Sequence, residues 1–434
     1  MAGFLELFSS FFNKKKISPV IIGSSIHCID DSLIDNNAVK IIRRLHKYGH
    51  KGYIVGGAVR DLLTGRKPKD FDVATDATPY RIKKLFSNAK IIGKRFKLVH
   101  MIFHDTIIET ATFRSGRTDN GSDIKNSSYN VYGEIHEDVV RRDFTINALY
   151  YDPINSEIID YVGGYNDLLE RRLRTIVKAE KSFREDPVRM IRAVKYSIIS
   201  GCRIDSKTLR VINKNSKLIS LSSVSRLFEE FIKIFKSPMP KEIINSIKET
   251  GLLKHILPEL DYMLEHKTIM EFVNSGISVY SDCYNMKLTA NLDFFWCILL
   301  FGGIDNIRYQ EDVAELIVSI REYVKKILGV LKIPNRIVYF VADVFLIYMR
   351  FKYSVNKKHL YKLRKSPYYP YSRLLKHIED RSDFKYIEKH MRSSPVFGLT
   401  EIERVRKPVK FKKAGKTVRR CVETRKPIDI GKTQ

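Results

Sequence analysis

The chain has 434 residues, 44% of them hydrophobic, and sets 77 Lys and Arg against 49 Asp and Glu for a formal net charge of +28. That length allows about two to four domains and a sizeable core, and the composition excludes a wholly disordered chain. The charge far exceeds what solubility needs and points to a polyanionic partner, nucleic acid foremost.

The five cysteines, Cys28, Cys202, Cys283, Cys297 and Cys421, are scattered and form no Cys-x-x-Cys pair. Neither a disulfide framework nor a zinc site is expected, and a reducing, cytoplasmic compartment is the simplest fit. No apolar run reaches the ~18 residues of a membrane span. The closest, Ile337 to Met349, contains Asp343, so no stable membrane association is expected.

At the N-terminus, Phe4, Leu5, Phe8, Phe11 and Phe12 precede Lys14, Lys15 and Lys16. A secretory signal has the reverse order, and this face is expected to dock on the protein itself, a weak membrane or partner anchor being the alternative. Residues 50–165 alternate short apolar runs with Gly, Asp and Asn turns. Tyr53 to Val55, Ile91-Ile92, Leu98 to Phe103, Ile107 to Phe113 and Ile158 to Val162 read as strands. From about residue 166 helical periodicity takes over: Val224, Leu227, Phe228, Phe231 and Phe235 fall on one helical face. An α+β head with a small mixed β-sheet, followed by all-α segments, is the fold class these patterns predict.

Two basic stretches follow. Residues 350–376 hold nine Lys or Arg, no acid, and six aromatics: Phe351, Tyr353, Tyr361, Tyr368, Tyr369 and Tyr371. They suit either a phosphate-tracking, base-stacking surface or a helix with one solvated basic face and one aromatic core face. Residues 404–426 hold eleven Lys or Arg and one Glu, which predicts a basic, disordered, RNA-binding tail.

The candidate chemistry begins where the strand Tyr53 to Val55 runs into Gly56-Gly57. Two glycines permit a tight turn and let main-chain N–H groups approach an anion, and Arg60 could clamp the same phosphates. A plain turn would look the same. About fifteen residues on, Asp70 and Asp72 flank Phe71 and would share one face of a strand. Two adjacent carboxylates repel unless a cation separates them, and hard oxygens suit Mg²⁺; a polar turn with solvated aspartates is the alternative. Glu109 is the one charge in the run Ile107 to Phe113. It either completes a metal site or pairs with Arg114 or a lysine.

These segments stand in a fixed order with Arg141-Arg142-Asp143-Phe144, Asn147-Ala148 and Glu185-Asp186-Pro187-Val188-Arg189. Together they resemble the class II tRNA nucleotidyltransferase and bacterial poly(A) polymerase family, within the polymerase-β-like nucleotidyltransferases. The resemblance is dense over residues 25–236 and thinner to about 353. It implies Asp70 and Asp72 as ligands of two Mg²⁺ ions, with Glu109 as the third catalytic carboxylate. It implies Gly56, Gly57 and Arg60 on the triphosphate, Arg142 and Asp143 on the ribose, and Asn147 near the nucleotide. Residues 160–167 would be a hinge. Glu185, Asp186 and Arg189 would form the base-recognition motif, Asp186 and Arg189 reading the Watson–Crick edge. From spacing alone Asp186 before Pro187 reads as a helix cap; beside the other motifs, base recognition or both is the expectation.

The implied organisation is an N-terminal extension (1–45), a catalytic head (46–165), a helical neck (166–240), a helical RNA-binding body (241–403) and the basic tail (404–434). The implied activity is template-independent addition of AMP from ATP to RNA 3′ ends; CCA addition to tRNA is the alternative. The segment Ile91 to His100 and the stretch His27 to Ala38 resemble the polymerases. Ala58 departs from them, standing where many have a third glycine.

Overall fold

The structure, a computed structural model, describes residues 18–93, 97–104, 106–115, 132–289, 291–353, 361–382 and 387. Eight strands form one mixed sheet: β1 (Val20–Gly23), β2 (Gly52–Val55), β3 (Asp72–Thr75), β4 (Ala89–Ile92), β5 (Leu98–Ile102), β6 (Ile107–Thr112), β7 (Leu149–Asp152) and β8 (Glu157–Asp160). Their order is β1-β8-β7-β2-β3-β6-β5-β4. Of the neighbouring pairs only β3 and β6 run parallel. A parallel pair needs a crossover, and here the helix Pro79–Leu85 and the β4–β5 hairpin supply it.

Residues 20–47 fold with this sheet. Strand β1 pairs with β8, and the helix Asn36–Lys47 buries Ala38, Ile41, Ile42 and Leu45. Those four follow the 3.6-residue period that turns one helical stripe to a core, and Asp35 caps the helix by accepting from the Asn37 N–H at 2.6 Å. They pack on one face of the sheet with Val73, Val99, Met101 and Ile108. The opposite face carries a smaller core of Val55, Ala74, Phe113, Ile135, Val139, Ala148 and Tyr150. The runs expected as strands become β2, β4, β5, β6 and β8; β1 and β7 are additions. His27 anchors the entry to the sheet. The His27 ring contacts the Ser156 carbonyl and the Ile29 N–H, both at 3.0 Å, and meets Tyr151 edge-on.

Beyond the sheet, a continuous apolar core extends from Phe144 to Ile387. The helix Val224–Phe235 forms as its periodicity predicts, with Ser223 at its N-cap. Its Phe228, Phe231 and Phe235 surround the buried Trp296 at ring distances of 6.4, 5.5 and 5.0 Å. The apolar run Ile337 to Met349 lies in the helix Asn335–Tyr353 and is largely core. Among the described residues no helix is long and apolar enough to cross a membrane.

The basic, aromatic stretch resolves mostly into packing. Tyr371 is buried against Phe294 and Phe340, Tyr368 meets Phe340, and Phe351 meets Tyr369. Tyr353 and Tyr361 remain exposed, with Lys365 over the Tyr361 ring at 5.1 Å. The aromatic N-terminal face, Lys94 to Phe96 and the tail 404–434 lie outside the described residues.

The segment 160–167 is densely bonded. Asp160 accepts from the N–H groups of Val162, Gly163, Gly164 and Tyr165 at 3.0, 2.9, 3.1 and 2.9 Å. Gly163 adopts φ +77°, and a Cβ on Gly164 would sit 2.1 Å from the Thr145 carbonyl oxygen. Asp167, fully buried, takes Thr145 Oγ1, Arg172 Nε and Arg174 Nε. Removing the Asp160 carboxylate strands several donors at once. Asp160→Ala is expected to cost on the order of 3 kcal/mol, read as a lowered midpoint in urea unfolding; an unchanged midpoint would show that water replaces the carboxylate.

Candidate active site

Strand β2 ends at Val55, and the chain reverses through Gly56 into the short helix Gly57–Leu63. Gly56 has φ +74°, a conformation that L residues with a Cβ adopt only under strain. Arg142 Nη1 lies 3.6 Å and Arg60 Nη2 3.4 Å from where Cβ atoms on Gly56 and Gly57 would stand. Two guanidinium groups therefore back the turn.

They are held differently. Arg60 is only 4% exposed. Its Nη1 donates to Asn147 Oδ1 at 2.9 Å, and its Nε and Nη2 donate to Asp61 Oδ1 at 3.0 and 2.9 Å. Arg142 donates to Asp138 Oδ2 and the Tyr150 hydroxyl, both at 3.0 Å, and its guanidinium lies over the Tyr150 ring at 4.9 Å.

Asp72 opens β3 opposite Val55 of β2, and on its other side stands in register with Glu109 of β6. Asp70 precedes the strand. Solvent reaches Asp72, yet its carboxyl is pushed up to about 6. Loss of surrounding water raises it most, Glu109 and Asp70 raise it further, and Arg142 pulls the other way. Glu109 is also exposed, and His100 of β5 stands beside it, Nε2 to Oε1 at 3.5 Å. Asp70 lines a cavity of about 680 Å³ that reaches Ile102, Phe103, His104 and Ile107 of the β5–β6 hairpin.

Asp143 is buried and faces the helical part. Arg192 of the helix Val188–Ser200 donates to its Oδ2 through Nε at 2.7 Å and Nη2 at 2.6 Å. Its Oδ1 accepts from the Phe144 N–H at 2.9 Å and Asn147 Nδ2 at 3.3 Å. Burial alone would raise this carboxyl, but Arg192 outweighs it and holds it down. Arg192 continues to Glu230 at 3.4 Å, which also takes Lys195 at 2.5 Å. Arg60, Arg192 and Lys195 all lie over the ring of Tyr196, at 5.2, 5.0 and 4.8 Å.

Asp186 sits between two helices, Ala179–Glu185 and Val188–Ser200. The second begins one residue later than a cap at Asp186 with Pro187 as first helical residue would place it. A cap-like bond still exists, from the Val188 N–H to Asp186 Oδ1 at 3.3 Å. The larger commitment of this carboxylate is to Arg226, whose Nη1 and Nη2 donate to Oδ1 and Oδ2 at 2.9 and 2.6 Å. Arg189 donates to Ser182 Oγ at 2.9 Å and to the Arg141 carbonyl at 3.2 Å, with Glu185 at 3.7 Å. Glu185, Asp186 and Arg189 thus form one cluster. Gly56, Gly57, Arg60, Arg142, Asp143 and Asn147 form another, bordered by Asp72, Glu109 and Asp70. Sequence reasoning passed over Arg192, Glu230, Arg226, Asp138 and Tyr150, which hold these groups.

A mixed sheet with carboxylates on adjacent parallel strands, beside a Gly-Gly turn backed by arginines, is the arrangement of a nucleotidyltransferase. Two family models agree: a poly A polymerase head domain matches residues 52–174, and a probable RNA and SrmB-binding site of polymerase A matches residues 201–264. The poly(A) polymerase I of Escherichia coli O6:H1 is 34% identical over 360 residues, covering 78% of this chain and 77% of that protein. That of Salmonella typhi is 42% identical over 249 residues, 55% of this chain and 54% of that protein. Among solved structures, a Bacillus stearothermophilus CCA-adding enzyme in complex with CTP superposes with a TM-score of 0.61 at 24% identity, covering 82% of this chain and 80% of that one. This likeness shows a shared fold. The chain belongs to the tRNA nucleotidyltransferase and poly(A) polymerase family.

The raised Asp72 carboxyl fixes a sign. Folding makes it easier to protonate, so its ionised form costs stability at neutral pH, and the cost fades as pH falls through 6 towards the unfolded value near 4. Asp72→Asn, in EDTA, is expected to melt about 2 °C above the parent at pH 7.5, with the gap roughly halved at pH 5 and closed near pH 4. A gap that is absent or independent of pH would contradict the crowding.

Proposed function

We propose that this enzyme adds AMP from ATP to RNA 3′ ends without a template, releasing pyrophosphate. The observation that carries the reading is the crowding of Asp72, Glu109 and Asp70 beside the Gly56-Gly57 turn and Arg142. The names and identities of the poly(A) polymerase relatives favour ATP as the nucleotide.

The donors suit a divalent cation. Among the described residues no three His, Cys, Asp or Glu side chains converge closely enough to cage an ion by themselves. Mg²⁺ needs no such cage, since it is commonly held by one or two carboxylates together with substrate phosphates. Asp70 and Asp72 would hold it, Glu109 standing beside them. The chemistry supplied there would be neutralisation of phosphate charge and acidification of the attacking hydroxyl.

The chain's own groups do the positioning. The main-chain N–H groups at Gly56-Gly57 face the triphosphate, and Arg142 sets positive charge where pyrophosphate leaves. Arg60 acts through its bonds to Asn147 and Asp61, and Asp143 acts through Arg192. On the helical side, Asp186 accepts an amino hydrogen of the base and Arg189 donates to the adjacent ring nitrogen. Adenine and cytosine both present that pair of groups; guanine and uracil present its reverse. The same edge chemistry therefore admits the second reading, CCA addition, which the CCA-adding structural neighbours bring into view.

Each of the four NTPs, supplied singly with Mg²⁺ to an unstructured RNA and to a tRNA lacking CCA, separates the two. Long adenylate tails on both RNAs are expected. Two cytidines from CTP alone on the tRNA lacking CCA, with no tail from ATP on the unstructured RNA, would establish the second reading. Arg226→Ala frees the Asp186 carboxylate to rotate and is expected to raise KM for ATP about tenfold with a smaller change in kcat. An unchanged KM would show that Asp186 keeps its orientation without Arg226.

A further inference from the structure

The sheet order gives the candidate active site two sides. On one side of β3 lie β2, the Gly56-Gly57 turn and Arg142. On the other lie β6, β5 and β4, and a single row crosses them: Asp72 is in register with Glu109, Glu109 with His100, and His100 with Lys90. Side chains in register on neighbouring strands share a face. The next row on that face is Ile107 opposite Ile102. Both isoleucines are open to solvent, at 56% and 45%, and both line the cavity of about 680 Å³ that Asp70 also lines.

Phosphoryl transfer puts the attacking and leaving oxygens roughly in line through phosphorus. With the triphosphate at the β2 turn, the attacking 3′-hydroxyl has to approach from the β6 side of Asp72. We propose that the 3′-terminal nucleotide of the acceptor RNA lies on the β5–β6 face, its base against Ile102 and Ile107 in the cavity beside Asp70, with Lys90 drawing the phosphates upstream. The inference rests on the function proposed above, since it takes the triphosphate to lie at the glycine turn.

Three features fit this occupant. The platform is continuous with the catalytic carboxylates. It changes from acidic at Asp72 and Glu109 to basic at Lys90, so a polyanion is repelled at one end and attracted at the other. Its apolar part is a pair of solvent-open isoleucines at the edge of that cavity, which offers an apolar contact to any base and suits growth of a tail whose last residue changes at each step. A guard role for Lys90 on the edge strand β4 explains the lysine but not two exposed isoleucines beside the carboxylates.

The test uses the full chain. An oligo(A) carrying 8-azidoadenine at its 3′ end, irradiated without ATP, is expected to crosslink within residues 98–109. Crosslinks confined to the helical part would overturn the proposal. In parallel, Ile107→Glu and Lys90→Glu are each expected to raise KM for the RNA primer about tenfold and leave KM for ATP within about twofold. Primer KM values that do not move, in variants that melt like the parent, would likewise overturn it. If the chain proves to add CCA, the same readouts are taken with tRNA lacking CCA. Failure of the platform and failure of the ATP assignment are thus told apart.

Discussion

The contact between Asp143 and Arg192 holds the catalytic sheet to its helical partner. It is a two-pronged ion pair between a buried carboxylate and a partly exposed guanidinium, formed across 49 residues of chain. Around it, Asn147 ties Asp143 to Arg60 on the head, and Glu230 ties Arg192 to Lys195 between two helices. Burying such charges has a desolvation cost that rivals their attraction, so the pair contributes little net stability. Its effect is registration. If Arg192 is lost, the buried Asp143 carboxylate loses the ion pair that faces it. Tyr196, with three cations over its ring, fills the same seam.

The carboxylate end of the site runs on the opposite principle. There, like charges are gathered rather than matched: Asp72 has Glu109 and Asp70 beside it and, among the described residues, Arg142 to offset them. A surface arranged for stability would separate these groups. Retaining them together favours binding of positive charge, and the surrounding fold offsets the repulsion. The neutralised seam and the unneutralised site adjoin through Arg142 and Asn147, so the rigid part of the network fixes the position of the reactive part.

Much of this was legible locally. The Gly56-Gly57 turn, the strand periodicities and the helix Val224–Phe235 follow from patterns a few residues long. The pairing of Asp72 with Glu109 could be guessed only because both lie in short apolar runs. What was hidden is long-range. Arg226 reaches Asp186 across 40 residues, and Arg192 reaches Glu230 across 38; neither pair leaves a local signature. The aromatic residues of 350–376 illustrate the converse. Spacing could not tell a stacking surface from a core face, and the structure gives Phe351, Tyr368, Tyr369 and Tyr371 to packing. Strand β1 escaped notice because an edge strand of four residues, half of it exposed, has too little periodicity to register.

Division of labour across the seam bears on nucleotide choice. The groups suited to a base edge, Asp186 and Arg189, stand on the helical side, and the carboxylates stand on the sheet. Adenine and cytosine offer one and the same donor–acceptor pair, so those two residues alone do not separate them. A purine carries that pair further from its sugar than a pyrimidine does. The quantity left to discriminate is the separation between the base-reading cluster and the carboxylates. In this molecule the Asp143–Arg192 pair joins the sheet to the helix that also carries Arg189, and Arg226 orients the Asp186 carboxylate; reading of a base edge by Asp186 and Arg189, as proposed, would depend on both. Selectivity in a site without a template then depends on residues that need touch neither the base nor the reacting phosphate.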